Sequence, residues 1–321
     1  MKQRGNILIT AVGGDIGQSV VQCLLGSEYS GRLYGCDIDP YAAGQVGLQG
    51  FTVAPKVSAR EAYRSFMLKT AEKSGIKYIL PINEREIVYF AQAKKYYESK
   101  GITVLVHERN IVDTFMDKYL TIRFLKNKGI SVPETYLLKD YKGEFNFPLI
   151  LKERHSCGGK GMHEIRGQKE FDLYAGQGGK KDLMVQESIG TIDNEYTVGV
   201  FRNNSEVYSI AFRRELGYGS MTKTAVLHSD KELNALAENI AEAIGFTGSV
   251  NIQLRKAGGE YIPFEINPRL SSTVFFRYQC GFKDVKWWLD IVQGKEVIYR
   301  PARKTGVGVR TVGAVFFDVK K

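Results

Sequence analysis

The sequence predicts an α/β protein in which a parallel, doubly wound sheet is followed by a second region of mixed α and β structure. Within residues 6–112, short apolar runs alternate with helix-like stretches, which is the order that joins parallel strands through helices. Glycine follows several of the helix-like stretches, where it commonly ends a helix. After residue 112 the alternation stops. We therefore place a boundary near residue 112.

The first region contains four predicted strands and three predicted helices. The strands are residues 7–11, 33–39, 78–82 and 103–106, and the helices are residues 18–25, 62–74 and 86–100. Ligands of such sheets bind outside the carboxyl ends of the strands, where Asn83, Glu84 and Glu86 follow the third strand. Acids are also ordinary in the first turn of a helix. Both interpretations of these acids stay open.

A glycine turn follows the first strand. Gly13, Gly14 and Gly17 lack the full GxGxxG spacing of a dinucleotide-binding loop, while Asp37 and Asp39 stand about where a ribose-binding acid would lie. An NAD-binding domain, and with it an NAD-dependent oxidoreductase, is one interpretation. Whether it is preferred depends on the chemistry of the second region.

Composition and charge narrow the class of protein. The 321 residues are 43% hydrophobic, and no apolar run approaches the ~20 residues of a membrane span. The segment before the first strand is too short for a signal peptide, and Cys23, Cys36, Cys157 and Cys280 are scattered like free thiols. We expect a cytoplasmic protein.

The formal net charge is +10 without a cluster of basic and aromatic residues, so we expect no nucleic-acid and no membrane partner.

In the second region, after residue 112, the sequence predicts two helices, a polar loop and eight strands. Asp113 opens a helix that continues to about residue 128, and residues 230–244 form an amphipathic helix. A polar loop over residues 215–224 is the expected source of substrate contacts in this half. The predicted strands are residues 136–138, 147–152, 183–187, 195–201, 207–212, 250–254, 261–266 and 307–317.

One strand end carries the chemistry of a metal site. Glu265 and Asn267 are two residues apart on a strand, so their side chains point to the same face. A carboxylate and an amide oxygen side by side suit Mg²⁺, and Gln253 on a neighbouring strand can add a third oxygen. Arg269 follows at once and places a fixed cation where a phosphoryl group could be transferred.

These residues resemble a known signature. Asn251-Ile-Gln253, followed by Glu265-x-Asn267-Pro-Arg269-x-Ser271, resembles the magnesium-binding signature of the ATP-grasp superfamily, in particular of the carbamoyl-phosphate synthetase large-subunit type. The resemblance implies a Rossmann-like N-terminal domain over residues 1–112. It also implies an ATP-grasp fold of two α+β subdomains, a small or lid subdomain over 113–188 and a C-terminal subdomain with the metal site over 189–321. It favours an N-terminal domain that holds the non-nucleotide substrate over an NAD-binding domain.

The resemblance also implies roles for individual residues, with ATP and Mg²⁺ as cofactors and Mn²⁺ as a substitute. Lys118 and Lys152 would hold the phosphates, Glu187 and Glu195 the ribose, and Arg269 with Lys152 would be catalytic. Glu153 departs from the family pattern, in which proline is common at that position. The phosphate loop would use Gly158, Gly159 and Gly161, the adenine would bind the backbone of Gln186, Glu187, Ser188 and Ile189, and the metal ligands would be Gln253, Glu265 and Asn267.

The implied reaction is an ATP-dependent ligation. A carboxylate attacks the γ-phosphate to give an acyl phosphate, and an amine or a similar nucleophile then displaces phosphate. The expected partners are therefore a small-molecule carboxylate and an amine, and a homodimer is allowed. Three alternatives stay open, namely a carboxylate or carbamate kinase without ligation, the NAD-dependent oxidoreductase and a non-catalytic ATP-binding module.

Overall fold

A computed structural model describes residues 5–156, 161–176, 182–217, 219 and 221–317. These residues form three sheets. The first has the order β3-β2-β1-β4-β5, and its paired strands run parallel, as predicted. Its strands are β1 (Asn6–Thr10), β2 (Leu33–Asp37), β3 (Gly50–Val53), β4 (Ile76–Leu80) and β5 (Thr103–Val104), with helices α1 (Asp15–Leu25), α2 (Arg60–Ser74) and α3 (Glu84–Ser99) between them.

The strand order reverses between β1 and β4, which leaves a ligand crevice outside their carboxyl ends. Thr10 ends β1, and Asn83 caps α3 just beyond β4 by accepting a hydrogen bond from the Arg85 amide. Strand β3 was not predicted, because it is only four residues long, lies at an edge and has no fully buried residue.

The second sheet is small and antiparallel. Its order is β6-β9-β7-β8, with β6 (Thr135–Leu137), β7 (Leu149–Glu153), β8 (Met162–Ile165) and β9 (Leu183–Glu187), and with α6 (Gln168–Gly176) beside it. Its core is one small cluster that includes Leu149, Leu151, Ile165, Leu183 and Val185.

The third sheet is antiparallel, in the order β14-β13-β10-β11-β12-β15. It contains β10 (Glu195–Arg202), β11 (Val207–Leu216), β12 (Thr222–His228), β13 (Gly248–Ala257), β14 (Glu260–Asn267) and β15 (Val307–Val309). Helices α4 (Arg109–Phe115), α5 (Lys118–Asn127) and α7 (Lys231–Ile244) share one apolar core with it. Helices α8 (Val274–Gln279) and α9 (Asp284–Val292) pack instead against α1, in a core shared with the first sheet.

Three predicted elements differ from the structure. The helix expected from Asp113 to residue 128 is two helices, because the Asp117 side chain accepts from the amides of Tyr119 and Leu120 and starts a new helix. The loop expected over residues 215–224 is largely a hairpin, since β11 continues to Leu216 and β12 begins at Thr222. The closing strand expected over 307–317 ends at Val309, where its pairing with β12 stops.

No helix in the described ranges is both long and apolar enough to span a lipid bilayer. The cysteines that the structure describes, Cys23, Cys36 and Cys280, are free thiols and are buried. Cys157 lies outside the described residues.

Candidate active site

The site lies on the polar face of the third sheet. Gln253 on β13 stands between Thr197 on β10 and Glu265 on β14, and Asn251 stands opposite Asn267 in the same ladder. Alternate residues such as Ile252 and Ile266 point the other way and are completely buried in the core, as expected for a sheet with one apolar face. The structure therefore brings the three predicted metal-binding residues together.

A β-bulge adds an aromatic ring to this face. Gln253 pairs with Glu265 but the next residue, Leu254, pairs with Pro263, so Phe264 has no partner in the ladder. A bulge turns two successive side chains toward one face. The Phe264 ring accordingly lies 5.9 Å from Lys152 Nζ and 5.7 Å from Arg255 Cζ. The sequence interpretation missed Phe264 and Arg255, although proline inside a strand was a signal for a bulge.

Two lysines converge on Glu265. Lys118 Nζ is 3.7 Å from Glu265 Oε1 and donates to the carbonyl of Ser156. Lys152, at the end of β7, is 4% exposed, and its Nζ donates to Gln186 Oε1 at 2.9 Å. Burial lowers the pKa of Lys152 to about 8, and the charges of Lys118 and Arg255 oppose the raising effect of Glu265. Two cations beside one carboxylate are suited to hold phosphate oxygens.

Lys118 is positioned by the residue before it. Asp117 caps α5 and also accepts hydrogen bonds from Arg154 Nε at 2.9 and 2.8 Å, with Arg154 Nη2 at 2.7 Å. The Asp117 side chain is only 4% exposed. The start of α5 is thus tied to the chain that leaves β7, so Lys118 and Lys152 are held on one rigid frame.

The predicted phosphate loop lies partly outside the described residues, which do not include Gly158 and Gly159. Gly161 has φ +68° and its carbonyl accepts from the Glu153 amide at 3.2 Å. A Cβ at Gly161 would meet the Glu153 side chain at 2.7 Å. The left-handed conformation favours glycine where the chain enters β8.

The predicted adenine segment is divided between a strand and the chain beyond it. Strand β9 lies between β6 and β7, so the backbone of Gln186 and Glu187 belongs to the sheet. The Glu187 side chain accepts from the Glu134 amide at 3.0 Å. Ser188 and Ile189 lie beyond the strand, and the Ile189 carbonyl accepts from Arg255 Nη1 at 3.2 Å.

Glu195 and Gln253 are both held by arginines. Glu195 Oε1 is 3.2 Å from Arg214 Nη2, and Glu195 Oε2 accepts from Arg255 Nε and Nη2 at 3.2 and 3.1 Å. Arg214 Nη2 also donates to Gln253 Oε1 at 2.8 Å. The sequence singled out the region around Arg214 without giving this residue a role, because its partners come from two other strands.

Arg269 contacts the first residue of α3 in the N-terminal region. Its Nε and Nη2 donate to Glu84 Oε1 at 3.1 and 2.7 Å, and its Nη1 donates to the Leu270 carbonyl. Glu86, two residues along, is buried and accepts from Thr10 and Tyr63, and its pKa is raised chiefly by burial. Of the two acids, Glu84 therefore faces the predicted reaction centre and Glu86 supports the fold.

Comparison with known families supports the two halves of this architecture. A family described as "PylC-like, N-terminal domain" matches residues 7–105. A family described as "ATP-grasp in the biosynthetic pathway with Ter operon" matches residues 180–315. The chain is a member of the ATP-grasp superfamily. Within the superfamily it resembles the carbamoyl phosphate synthase large chain type.

Individual relatives are distant. The chain is 26% identical over 194 residues to a carbamoyl phosphate synthase large chain of Methanothrix thermoacetophila, covering 54% of this chain and 18% of that one. It is 23% identical to a formate-dependent phosphoribosylglycinamide formyltransferase of Shewanella frigidimarina, covering 78% and 68%. The match thus covers less than a fifth of the length of the synthase chain.

Solved structures share the fold. An N5-carboxyaminoimidazole synthetase from Staphylococcus aureus complexed with ADP aligns with a TM-score of 0.75 at 17% identity, covering 93% of this chain and 80% of that one. A biotin carboxylase from Campylobacter jejuni in complex with a β,γ-ATP ligand aligns with a TM-score of 0.74 at 16% identity, covering 91% and 72%. These likenesses confirm the predicted fold, a mixed α/β N-terminal domain followed by an ATP-grasp domain.

Proposed function

We propose that the chain is an ATP-dependent ligase that activates a small carboxylate as an acyl phosphate and joins it to an amine, releasing ADP and phosphate. The convergence of Lys118, Lys152 and Glu265 carries this proposal. Arg269 supports it, because its contact with Glu84 places the same region against the carboxyl edge of the first sheet. The division into residues 1–112, 113–188 and 189–321 belongs to the proposal.

The residues present fit a magnesium nucleotide. Glu265 supplies a carboxylate that is 22% exposed, and Asn267 stands two residues along on the same face. Mg²⁺ is commonly held by one or two carboxylates together with substrate phosphates. Bound there, the ion would neutralise charge on the phosphate oxygens during transfer. Within the described ranges no three His, Cys, Asp or Glu side chains gather as a metal cluster.

The protein's own groups then position the reactants. Lys118 and Lys152 hold phosphate oxygens, Ser188 and Ile189 offer backbone groups to the adenine, and Glu195 keeps acceptor capacity for a ribose hydroxyl. A substrate carboxylate oxygen forms a bond to the γ-phosphorus while the bond to ADP breaks. The amine nitrogen then bonds to the acyl carbon, phosphate leaves and the amine loses a proton. Arg269 is placed to bind the acyl phosphate through its planar fork.

The nucleophile hydroxylamine tests this reaction. In a screen of carboxylates with MgATP, the correct acid should yield a hydroxamate and ADP in equal amounts. Arg269→Lys keeps the charge but loses the fork geometry, so hydroxamate formation should fall at least about tenfold, the effect of one charged hydrogen bond. Affinity for MgATP, measured by titration calorimetry, should change much less.

Other outcomes would point elsewhere. A substrate that stimulates ADP formation, gives no hydroxamate and yields a stable phosphorylated product would mean a kinase. Stabilisation by NADH without any response to MgATP would mean an oxidoreductase. A cytoplasmic location and a homodimer are part of the proposal. The location agrees with the buried free thiols of the described residues, and the homodimer with the dimer named for one structural relative, a 2-oxoglutarate carboxylase biotin carboxylase domain.

A further inference from the structure

Arg214 lies between the side-chain oxygens of Glu195 and Gln253. Its Nη2 is 2.8 Å from Gln253 Oε1 and 3.2 Å from Glu195 Oε1. The Arg214 side chain is 8% exposed, and its Nε is buried without a hydrogen-bond partner among the described residues. One amino group of a guanidinium therefore bridges a carboxylate and an amide, both of which are oxygen donors that a hard metal ion prefers.

The contact with Arg214 decides how the Gln253 amide is oriented. A guanidinium has only donors, so the atom of Gln253 that faces it must be the oxygen. The opposite orientation would place the amide hydrogens against those of Arg214. The other branch of the amide, Nε2, carries hydrogens and cannot bind a metal, so a metal ion on Gln253 would have to share the oxygen that accepts from Arg214.

A metal ion on the same oxygen would also meet an unfavourable charge. Mg²⁺ binds oxygen at about 2.1 Å, so an ion on Gln253 Oε1 would lie at most about 5 Å from Arg214 Nη2. Like charges at that distance in a largely buried site repel strongly. Glu265 also has cations nearby, Lys118 Nζ at 3.7 Å and Lys152, but its own negative charge offsets their repulsion of a metal ion, whereas the Gln253 amide is neutral.

We propose that the chain binds a single divalent cation with its nucleotide, on Glu265 and Asn267, and that Arg214 supplies the positive charge on the Gln253 side where a second ion would otherwise bind. Gln253 is then a partner of Arg214 and not a metal ligand. The inference rests on the proposed binding of a magnesium nucleotide, and it separates the roles of three residues that the sequence grouped together.

Counting bound Mn²⁺ tests the inference without turnover. The protein is dialysed to equilibrium against Mn²⁺ and the non-hydrolysable analogue AMP-PNP, and bound metal and bound nucleotide are measured separately. The wild type should bind one Mn²⁺ per nucleotide. Arg214→Gln removes the cation and frees the Gln253 oxygen, so a second Mn²⁺ should bind. Arg213→Gln is the matched control, because Arg213 is exposed on the opposite face of β11 and should leave the ratio at one.

A second pair of variants tests the ligands directly. Glu265→Gln should weaken Mn²⁺ binding at least about tenfold, since it removes the carboxylate, whereas Gln253→Leu should weaken it less than about threefold. This pair remains informative if Arg214→Gln fails to fold, which thermal unfolding of each variant will show.

Each remaining outcome is decisive. Two Mn²⁺ ions per nucleotide in the wild type, an unchanged ratio in folded Arg214→Gln, or equal losses in Gln253→Leu and Glu265→Gln would overturn the single-cation inference alone. Absence of any bound Mn²⁺ and nucleotide would overturn the proposed function together with it, so the two failures are distinguishable.

Discussion

At the scale of single residues, two cations of the candidate site, Lys152 and Arg269, are each held by protein groups that the sequence did not identify as their partners. Lys152 is buried beside Gln186 and Phe264, so its charge is largely held out of water. Arg269 is held by a glutamate from the other half of the molecule. Both cations are therefore positioned before the nucleotide arrives, which favours charge stabilisation without rearrangement.

Lys152 predicts a dependence of nucleotide binding on pH. With its pKa lowered to about 8, the ammonium is mostly charged at pH 7 and mostly neutral at pH 9. Phosphates stabilise the charged form, so MgATP affinity should fall as pH rises, by up to about tenfold over this window. Titration calorimetry at pH 7, 8 and 9 measures the effect.

Lys152→Gln is the control for this pH dependence. It should bind MgATP about tenfold more weakly at pH 7 and lose the downward slope. If the wild type and the variant show parallel pH profiles, the slope belongs to another group and Lys152 is only a strand-end lysine.

At the scale of elements, short-range caps and irregularities place the functional side chains. The break between α4 and α5 comes from Asp117, whose carboxylate satisfies two helix amides and the Arg154 guanidinium at once. The bulge in β14 turns Phe264 onto the same face as Glu265. Neither feature enlarges the core. The cap ties Lys118 at the start of α5 to the chain that leaves β7, and the bulge places an aromatic ring beside Lys152.

Asp117→Ala should destabilise the protein by about 3 kcal/mol, because it leaves the Arg154 charge without its buried partner and removes a helix cap. Asp117→Asn keeps the cap and should lose less. Urea denaturation followed by circular dichroism measures both changes in the free energy of unfolding. Equal losses would show that the cap is unimportant, and a loss below about 1 kcal/mol in Asp117→Ala would contradict the role of the pair.

At the scale of the whole molecule, the three sheets differ in the size of the apolar core that stabilises them. The first and third sheets share a large core in which α1 packs against α8 and α9. There, Arg277 is fully buried and pairs with Asp284 at 3.0 Å, and Asp284 accepts from Ser249. The second sheet has only a small core of its own.

Local stability should follow this difference in core size. In hydrogen exchange measured by mass spectrometry, peptides covering β7 and β9 should exchange faster than peptides covering β10 and β13 in the absence of ligand. MgATP should slow exchange in β7 and β9, because Lys152 and the segment after β9 would contact it. Equally slow exchange in all four strands without nucleotide would contradict the prediction.

The parallel sheet and the signature around Glu265 were readable from the sequence because their signals are local. Alternating apolar runs specify strands and helices in order, and a two-residue spacing places Glu265 and Asn267 on one face of a strand wherever it pairs. The edge strand β3 and the division of the helix at Asp117 were missed. Strand β3 is only four residues long and pairs on one side with β2, and the Asp117 cap was overlooked although its hydrogen bonds to Tyr119 and Leu120 are local.

The partners of the site residues were decided only by the tertiary structure. Arg269 and Glu84 are 185 residues apart, and Arg214 and Gln253 are 39 apart. A side chain's charge is fixed by its own residue type, whereas its hydrogen bonds depend on which strands become neighbours. The sequence therefore determined that oxygen ligands and cations are present. Only the fold decided that the oxygen of Gln253 is held by an arginine and that an oxygen of Glu265 lies beside Lys118.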